Sequence, residues 1–132
     1  MRKLFAMFMV LLSALTLSAT VDAAEPHIIP QPSYVEMHTG EFVVTADTKI
    51  VVYDEAWDAA NVFAQDMQPF FGSKRPMRTA KRGNGIKVRT DNNVPKEGYE
   101  LYVQPHEIFV TGGSEAGIYY GLQTLRQIIV AN

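Results

Sequence analysis

GYELYVQPHEIFVTGGSEAGIYYGLQTLRQIIV, residues 98–130, is the stretch that decides the fold. After Gly98, Tyr99, Leu101 and Val103 alternate with Glu100, Tyr102 and Gln104. A two-residue period of this kind turns one face of a strand toward a core. Pro105-His106 makes a turn. Ile108 and Val110 then answer on one face, with Phe109 and Thr111 on the other, and Gly112-Gly113 close the second strand. Two strands on so short a link form an antiparallel hairpin. Ser114 follows where a helix cap is expected. Ile118, Leu122, Leu125 and Ile129 then fall on one helical stripe. Gly117 and Gly121 lie four apart on that helix, a spacing that in water permits close packing on a sheet.

Working back from the hairpin, Asp91-Asn92-Asn93 reads as a turn and Ile86, Val88 and Thr90 as one face of a strand, with Lys87 and Arg89 opposite. Gly72 to Gly85 is a basic linker. Trp57, Ala60, Ala64, Met67 and Phe71 recur at three- and four-residue steps, the spacing of a helix with one apolar stripe. Asp54 stands as its cap, Glu55 in its first turn, and Pro69 should stop or distort it near its end. Lys49-Ile50-Val51-Val52-Tyr53 is a β-branched strand. Val35, Met37 and Phe42-Val43-Val44 suggest two short strands around a His38-Thr39-Gly40 turn. Pro26, Pro30 and Pro32 keep the lead-in extended, with Ile28-Ile29 available to a core. With hairpins expected at both ends, the pattern predicts an α+β fold: a mainly antiparallel sheet with two helices packed on one face.

Met1-Arg2-Lys3 is a short positive start, Leu4 to Leu17 is almost wholly apolar, and Val21-Asp22-Ala23 offers small residues at the positions a signal peptidase reads. Residues 1–23 therefore read as a secretory signal peptide, since the apolar run is shorter than the roughly 20 residues that span a bilayer. Residues 24–132 are the expected domain, secreted or periplasmic, with no membrane span after processing. Losing Arg2, Lys3 and Asp22 leaves that domain slightly acidic. The chain has 132 residues and no cysteine. This excludes disulfides, a thiol nucleophile and cysteine-held metals, and a barrel enzyme of roughly 250 residues cannot fit.

The candidates for chemistry are few. Lys74, Arg75, Arg78, Lys81, Arg82, Lys87, Arg89 and Lys96 set eight bases against Asp91 alone. No aromatic residue is interleaved to stack on bases, so nucleic acid is not the expected partner. His27, His38 and His106 form no metal-ligand spacing, and Asp91-Asn92-Asn93 lacks the regular oxygen-ligand loop that calcium needs. Asp54-Glu55, Asp58 and Asp66 lie along one helix, and Glu97 and Glu100 flank a strand. They read as caps and charged faces, not as a catalytic pair across a cleft. Trp57, Tyr102, Tyr119 and Tyr120 are the side chains able to stack on sugar rings, although core or interface packing is the commoner use. From the residues alone, this is a secreted α+β domain with no active site of its own.

Gly98-Tyr99-Glu100-Leu101-Tyr102-Val103, Ile108-Phe109-Val110 and Ala116-Gly117-Ile118-Tyr119-Tyr120-Gly121-Leu122-Gln123-Thr124-Leu125-Arg126-Gln127 together resemble the N-terminal domain of family 20 glycoside hydrolases, the β-N-acetylhexosaminidases. Ile28-Ile29-Pro30-Gln31-Pro32 and Gly40-x-Phe42 resemble the start of that domain, so the likeness runs over about residues 26–130. Similar accessory domains precede other sugar-processing barrels, such as α-glucuronidases and O-GlcNAc hydrolases. The resemblance implies a sheet covered by two helices, packed on a C-terminal (β/α)8 barrel that removes terminal N-acetylhexosamine from glycans. It further implies substrate-assisted hydrolysis, in which the 2-acetamido oxygen is the nucleophile and an Asp-Glu pair of the barrel serves it. The sequence ends at Ala131-Asn132, before the barrel's first strand is expected. No catalytic, cofactor-binding or metal residue is therefore carried over to any position here. The expected role is support of the barrel, inert alone, with an apolar patch around Tyr119 and Tyr120. The other readings are a free-standing carbohydrate-binding or surface-interaction module, and the matching domain of another glycosidase family.

Overall fold

The computed structural model describes residues 27–53, 56–78 and 85–132. Its elements are β1 (Lys49–Val52), α1 (Trp57–Asp66), α2 (Gln68–Phe71), β2 (Gly85–Thr90), β3 (Tyr99–Val103), β4 (Glu107–Gly112) and α3 (Glu115–Ala131). The strands form one sheet in the order β1-β2-β4-β3. β1 and β2 are parallel, β2 and β4 are parallel, and β3 and β4 are antiparallel.

The expected mainly antiparallel sheet with two helices is thus corrected to a mixed, mostly parallel sheet with three helices. Two causes account for the difference. α1 separates β1 from β2, and a helix between neighbouring strands returns the chain across the sheet so that the second strand runs parallel to the first. The hairpin then docks on β2 through β4, not β3. β4 buries Ile108, Val110 and Thr111, whereas β3 leaves Glu100, Tyr102 and Val103 exposed, as suits an edge. The two strands expected around Gly40 are absent from the described residues. Val35, Met37 and Val43 are exposed there, and only Phe42 and Val44 pack against the core. Gly40 does turn the chain, with φ at +108°.

The register explains why the core is uniform. Ile50, Ile86 and Ile108 lie in one row across three strands, and Val52, Val88 and Val110 in the next. Leu101 and Val103 of β3 extend these rows. All six central side chains are almost wholly buried beneath Phe63 of α1 and Ile118, Leu122 and Leu125 of α3. Burial of each such side chain stabilises by about 1.5–3 kcal/mol. α1 presents Ala59, Ala60, Phe63 and Ala64 to this core. Phe63 was missed by the expected stripe, and Trp57, which the stripe included, is only half-buried. The helix breaks at Met67, and Pro69 enters the first turn of the short α2, so the proline acts where expected.

The two helix caps differ from expectation. Asp54 and Glu55 lie outside the described residues, and Ala56 occupies the cap position of α1 with no side-chain cap bond. Ser114 occupies the cap position of α3, but its hydroxyl donates to the Lys96 carbonyl instead of capping. The Asp91-Asn92-Asn93 turn is present, with the Asn93 N–H donating to Asp91 Oδ1 at 2.8 Å. The run from Val94 to Gly98 then folds over the β4–α3 junction. A Cβ on Gly113 would lie 2.0 Å from the Pro95 carbonyl oxygen, and one on Gly117 would lie 2.1 Å from that of Gly98. A Cβ on Gly121 would meet Val110 Cγ1 at 2.7 Å, the close approach to the sheet that the glycine spacing predicts.

Gly117→Ala tests that junction. Alanine gains about 1 kcal/mol of helix propensity, but its Cβ must displace a backbone carbonyl, and overpacking costs about 1–3 kcal/mol. A net loss, read as a lower denaturant midpoint at unchanged slope, is expected; a gain in stability would refute the close approach. Phe63→Ala should cost about 3–5 kcal/mol by the same measurement.

Candidate functional site

Among the described residues, a shallow groove of about 270 Å³ lies between the first turns of α1 and α3. Ala59 and Val62 line it from one helix, and Ala116, Tyr119 and Tyr120 from the other, with Asp58 and Glu115 beside them. Residues at the start of one helix face residues at the start of the other, so α1 and α3 run parallel with their N-termini together. Parallel strands that each lead into a helix on the same face produce this arrangement. Tyr119 and Tyr120 are half-exposed and pack edge to face, 5.9 Å between centroids.

The groove is held together by Glu115. The Ala59 N–H of α1 donates to Glu115 Oε1 at 3.3 Å. An α-helix leaves its first N–H groups without internal acceptors, and a carboxylate there also meets the positive end of the helix dipole. Glu115 of one helix therefore supplies the cap that Ala56 does not. Ala56, immediately before Trp57, has no side-chain acceptor, so the acceptor comes from the other helix.

Apart from Tyr119 and Tyr120 on the groove, the Gly117–Gln127 run serves mainly internal contacts. Gly117 and Gly121 permit close approach, while Ile118, Leu122 and Leu125 enter the core. Thr124, buried, shares a 2.6 Å hydrogen bond with the Tyr99 hydroxyl. Gln127 clamps the lead-in. Its Oε1 accepts from the Ile29 N–H, and its Nε2 donates to the Ile29 carbonyl, both at 2.9 Å. Ile28 is thereby held in a buried position. Nothing in the local spacing announces this clamp, because its partners are 98 residues apart.

The sequence candidates are dispersed. His27, His38 and His106 are exposed, and His38 lies 3.4 Å from Glu36. Asp58 borders the groove, whereas Asp66, Glu97 and Glu100 are exposed elsewhere. Glu36 also accepts from the Tyr34 hydroxyl at 2.7 Å, and that bond and its negative charge raise the tyrosine pKa above its usual value. Among the described residues, no three His, Asp or Glu side chains stand close enough to hold a metal ion.

The bases do not form one patch. Lys74 lies over the Phe71 ring and Arg78 over Trp57. Lys87 pairs with Glu107, and Lys87 and Arg89 both cover Phe109 on the outer sheet face. Lys81 and Arg82 lie outside the described residues. Nor do the aromatic candidates share a platform. Trp57 is covered by Arg78, and Tyr102 is the register partner of Phe109 on the sheet face away from Tyr119 and Tyr120.

A family model described as glycosyl hydrolase family 20, domain 2, matches residues 25–132. The fold is similar to part of an exo-β-N-acetylglucosaminidase from Vibrio harveyi, at TM-score 0.63 and 20% identity, over 74% of this chain and 15% of that one. It is also similar to part of the β-N-acetylhexosaminidase of Streptomyces coelicolor A3(2), at TM-score 0.60 and 24% identity, over 78% of this chain and 22% of that one. For the β-N-acetylhexosaminidase of Bacteroides fragilis the values are 0.64 and 24%, over 76% and 20%. This chain thus spans less than a quarter of the length of each of these enzymes.

Two substitutions probe the contacts that shape the helix layer. Glu115→Ala should destabilise by about 1 kcal/mol, while Glu115→Gln, which keeps an acceptor, should cost less. Gln127→Ala should raise the hydrogen-exchange rate of the Ile29 amide toward that of an exposed group; unchanged protection would remove the clamp.

Proposed function

The chain belongs to glycosyl hydrolase family 20, corresponding to its small, non-catalytic domain 2, and from that premise we propose that it supports the catalytic barrel of an exported β-N-acetylhexosaminidase. The observation that carries this reading is a division of labour within the domain. The glycines and aliphatic residues of its distinctive run are spent on internal packing, while the run's Tyr119 and Tyr120, with Val62, remain half-exposed around one groove on the helix layer. Exposed apolar side chains gathered in this way mark an interaction surface. The substrate of the whole enzyme would be a terminal N-acetylhexosamine of a glycan. Its own acetamido oxygen would be the nucleophile, the Asp-Glu pair that assists it would belong to the barrel, and no residue of this chain would take a step in that chemistry. Residues 1–23 would direct export.

The helix layer suits the role on energetic grounds. Its core is buried against the sheet, so the groove can be covered without repacking Ile118, Leu122 or Leu125. The outer sheet face, by contrast, is already occupied by the Lys87–Glu107 pair and the two cations over Phe109.

The direct test begins with residues 24–132 as a purified chain. It should not hydrolyse p-nitrophenyl N-acetyl-β-D-glucosaminide, and millimolar chitooligosaccharides should leave its amide spectrum unchanged. Saturable binding would replace the supporting role with a carbohydrate-binding one. Reading the gene beyond the Asn132 codon completes the test: a continuing frame with an adjacent Asp-Glu pair in a barrel-length segment is expected, and a stop codon would refute the proposal.

A further inference from the structure

We propose that the α1–α3 groove receives one basic side chain, set in an apolar surface, from the larger domain on which this module docks. The inference rests on the supporting role above and adds the chemistry of the partner. Asp58 and Glu115 bring two negative charges to the groove. The N-termini of α1 and α3 meet there, and each contributes about half a positive charge. Roughly one negative charge is left over. Neither carboxylate has an ion-pair partner among the described residues, where the pairs are His38–Glu36 and Lys87–Glu107.

That residual charge borders an apolar surface. Val62, Tyr119 and Tyr120 give the occupant rings and methyl groups to pack on. A partner that covered the groove with apolar groups alone would desolvate two carboxylates without compensation, which costs heavily. A partner that brought a further carboxylate would add repulsion. A lysine or arginine answers both features, since its aliphatic stem packs on the tyrosines while its charged end reaches the carboxylates. Arginine suits best, because its planar fork both stacks on aromatic rings and pairs with carboxylates. Glu115 uses Oε1 on the Ala59 N–H, which fixes the carboxylate in the groove before any partner arrives.

The test uses the whole chain and three peptides, N-acetyl-Leu-Arg-Leu-amide and its counterparts with Gln or Glu at the centre. Binding is followed by the amide shifts of Ala59 and Ala116 and the ring signals of Tyr119. The arginine peptide should bind saturably at millimolar concentration and weaken with salt. The glutamine peptide should bind more weakly and the glutamate peptide not at all. Asp58→Asn should weaken the arginine peptide about two- to five-fold, the range of a solvent-exposed ion pair. Equal binding of the arginine and glutamine peptides would overturn the basic key while leaving an apolar docking surface in place. No binding by any of the three would also overturn it, and the supporting role would still stand or fall on the gene and hydrolysis tests.

Discussion

Two rows of side chains across three strands hold this domain together. Ile50, Ile86 and Ile108 share one row, and Val52, Val88 and Val110 share the next. Each row exists because β1, β2 and β4 run parallel and in register. A slip of one residue in β2 would bring Lys87 and Arg89 to the inner face in place of Ile86 and Val88. The desolvation cost of two cations makes that alternative unaffordable. The helices follow from the rows, since Phe63, Ile118, Leu122 and Leu125 have one apolar surface to cover.

Glycine sets how closely that cover sits. Gly121 brings α3 against Val110, and Gly113 and Gly117 admit the Val94–Gly98 turn to the same junction. These contacts fix the start of α3, hence the position of Glu115, hence the groove it shares with α1. A sequence run that looks functional because it is distinctive is therefore distinctive for a steric reason. The groove is a by-product of two parallel helices whose N-termini meet, and its charge is what two acidic first turns leave after partial neutralisation by the helix dipoles.

Much of the fold was legible locally. The β3–β4 hairpin, the stripe of α3, the β-branched β1, the Asp91 turn and the break at Pro69 all follow from short-range pattern. What failed was pairing between distant strands. Alternation predicts that a strand has an inner face, but not which neighbour it takes or in which direction. The two strands expected around Gly40 show the same limit: Val35 and Val43 have the composition of strands, yet the described chain gives them no partner. In the groove, Tyr119 and Tyr120 could be named in advance as exposed aromatics on α3. The Glu115–Ala59 contact could not, because it joins the starts of two helices that are far apart in the chain.

The sequence by itself determined the last hairpin, the apolar stripe of the last helix and the Asp91 turn, that these 132 residues cannot hold a barrel, and which family the last two elements resemble. Periodicity, glycine placement and length are local properties, and they are written residue by residue. Only the tertiary structure decided that the sheet is mostly parallel, that Gln127 holds the lead-in, and that the two helix starts enclose an acidic, apolar groove. Those outcomes depend on which surfaces meet after the chain has folded back on itself. That choice is made by the joint burial of the isoleucine and valine rows, and no single segment contains it.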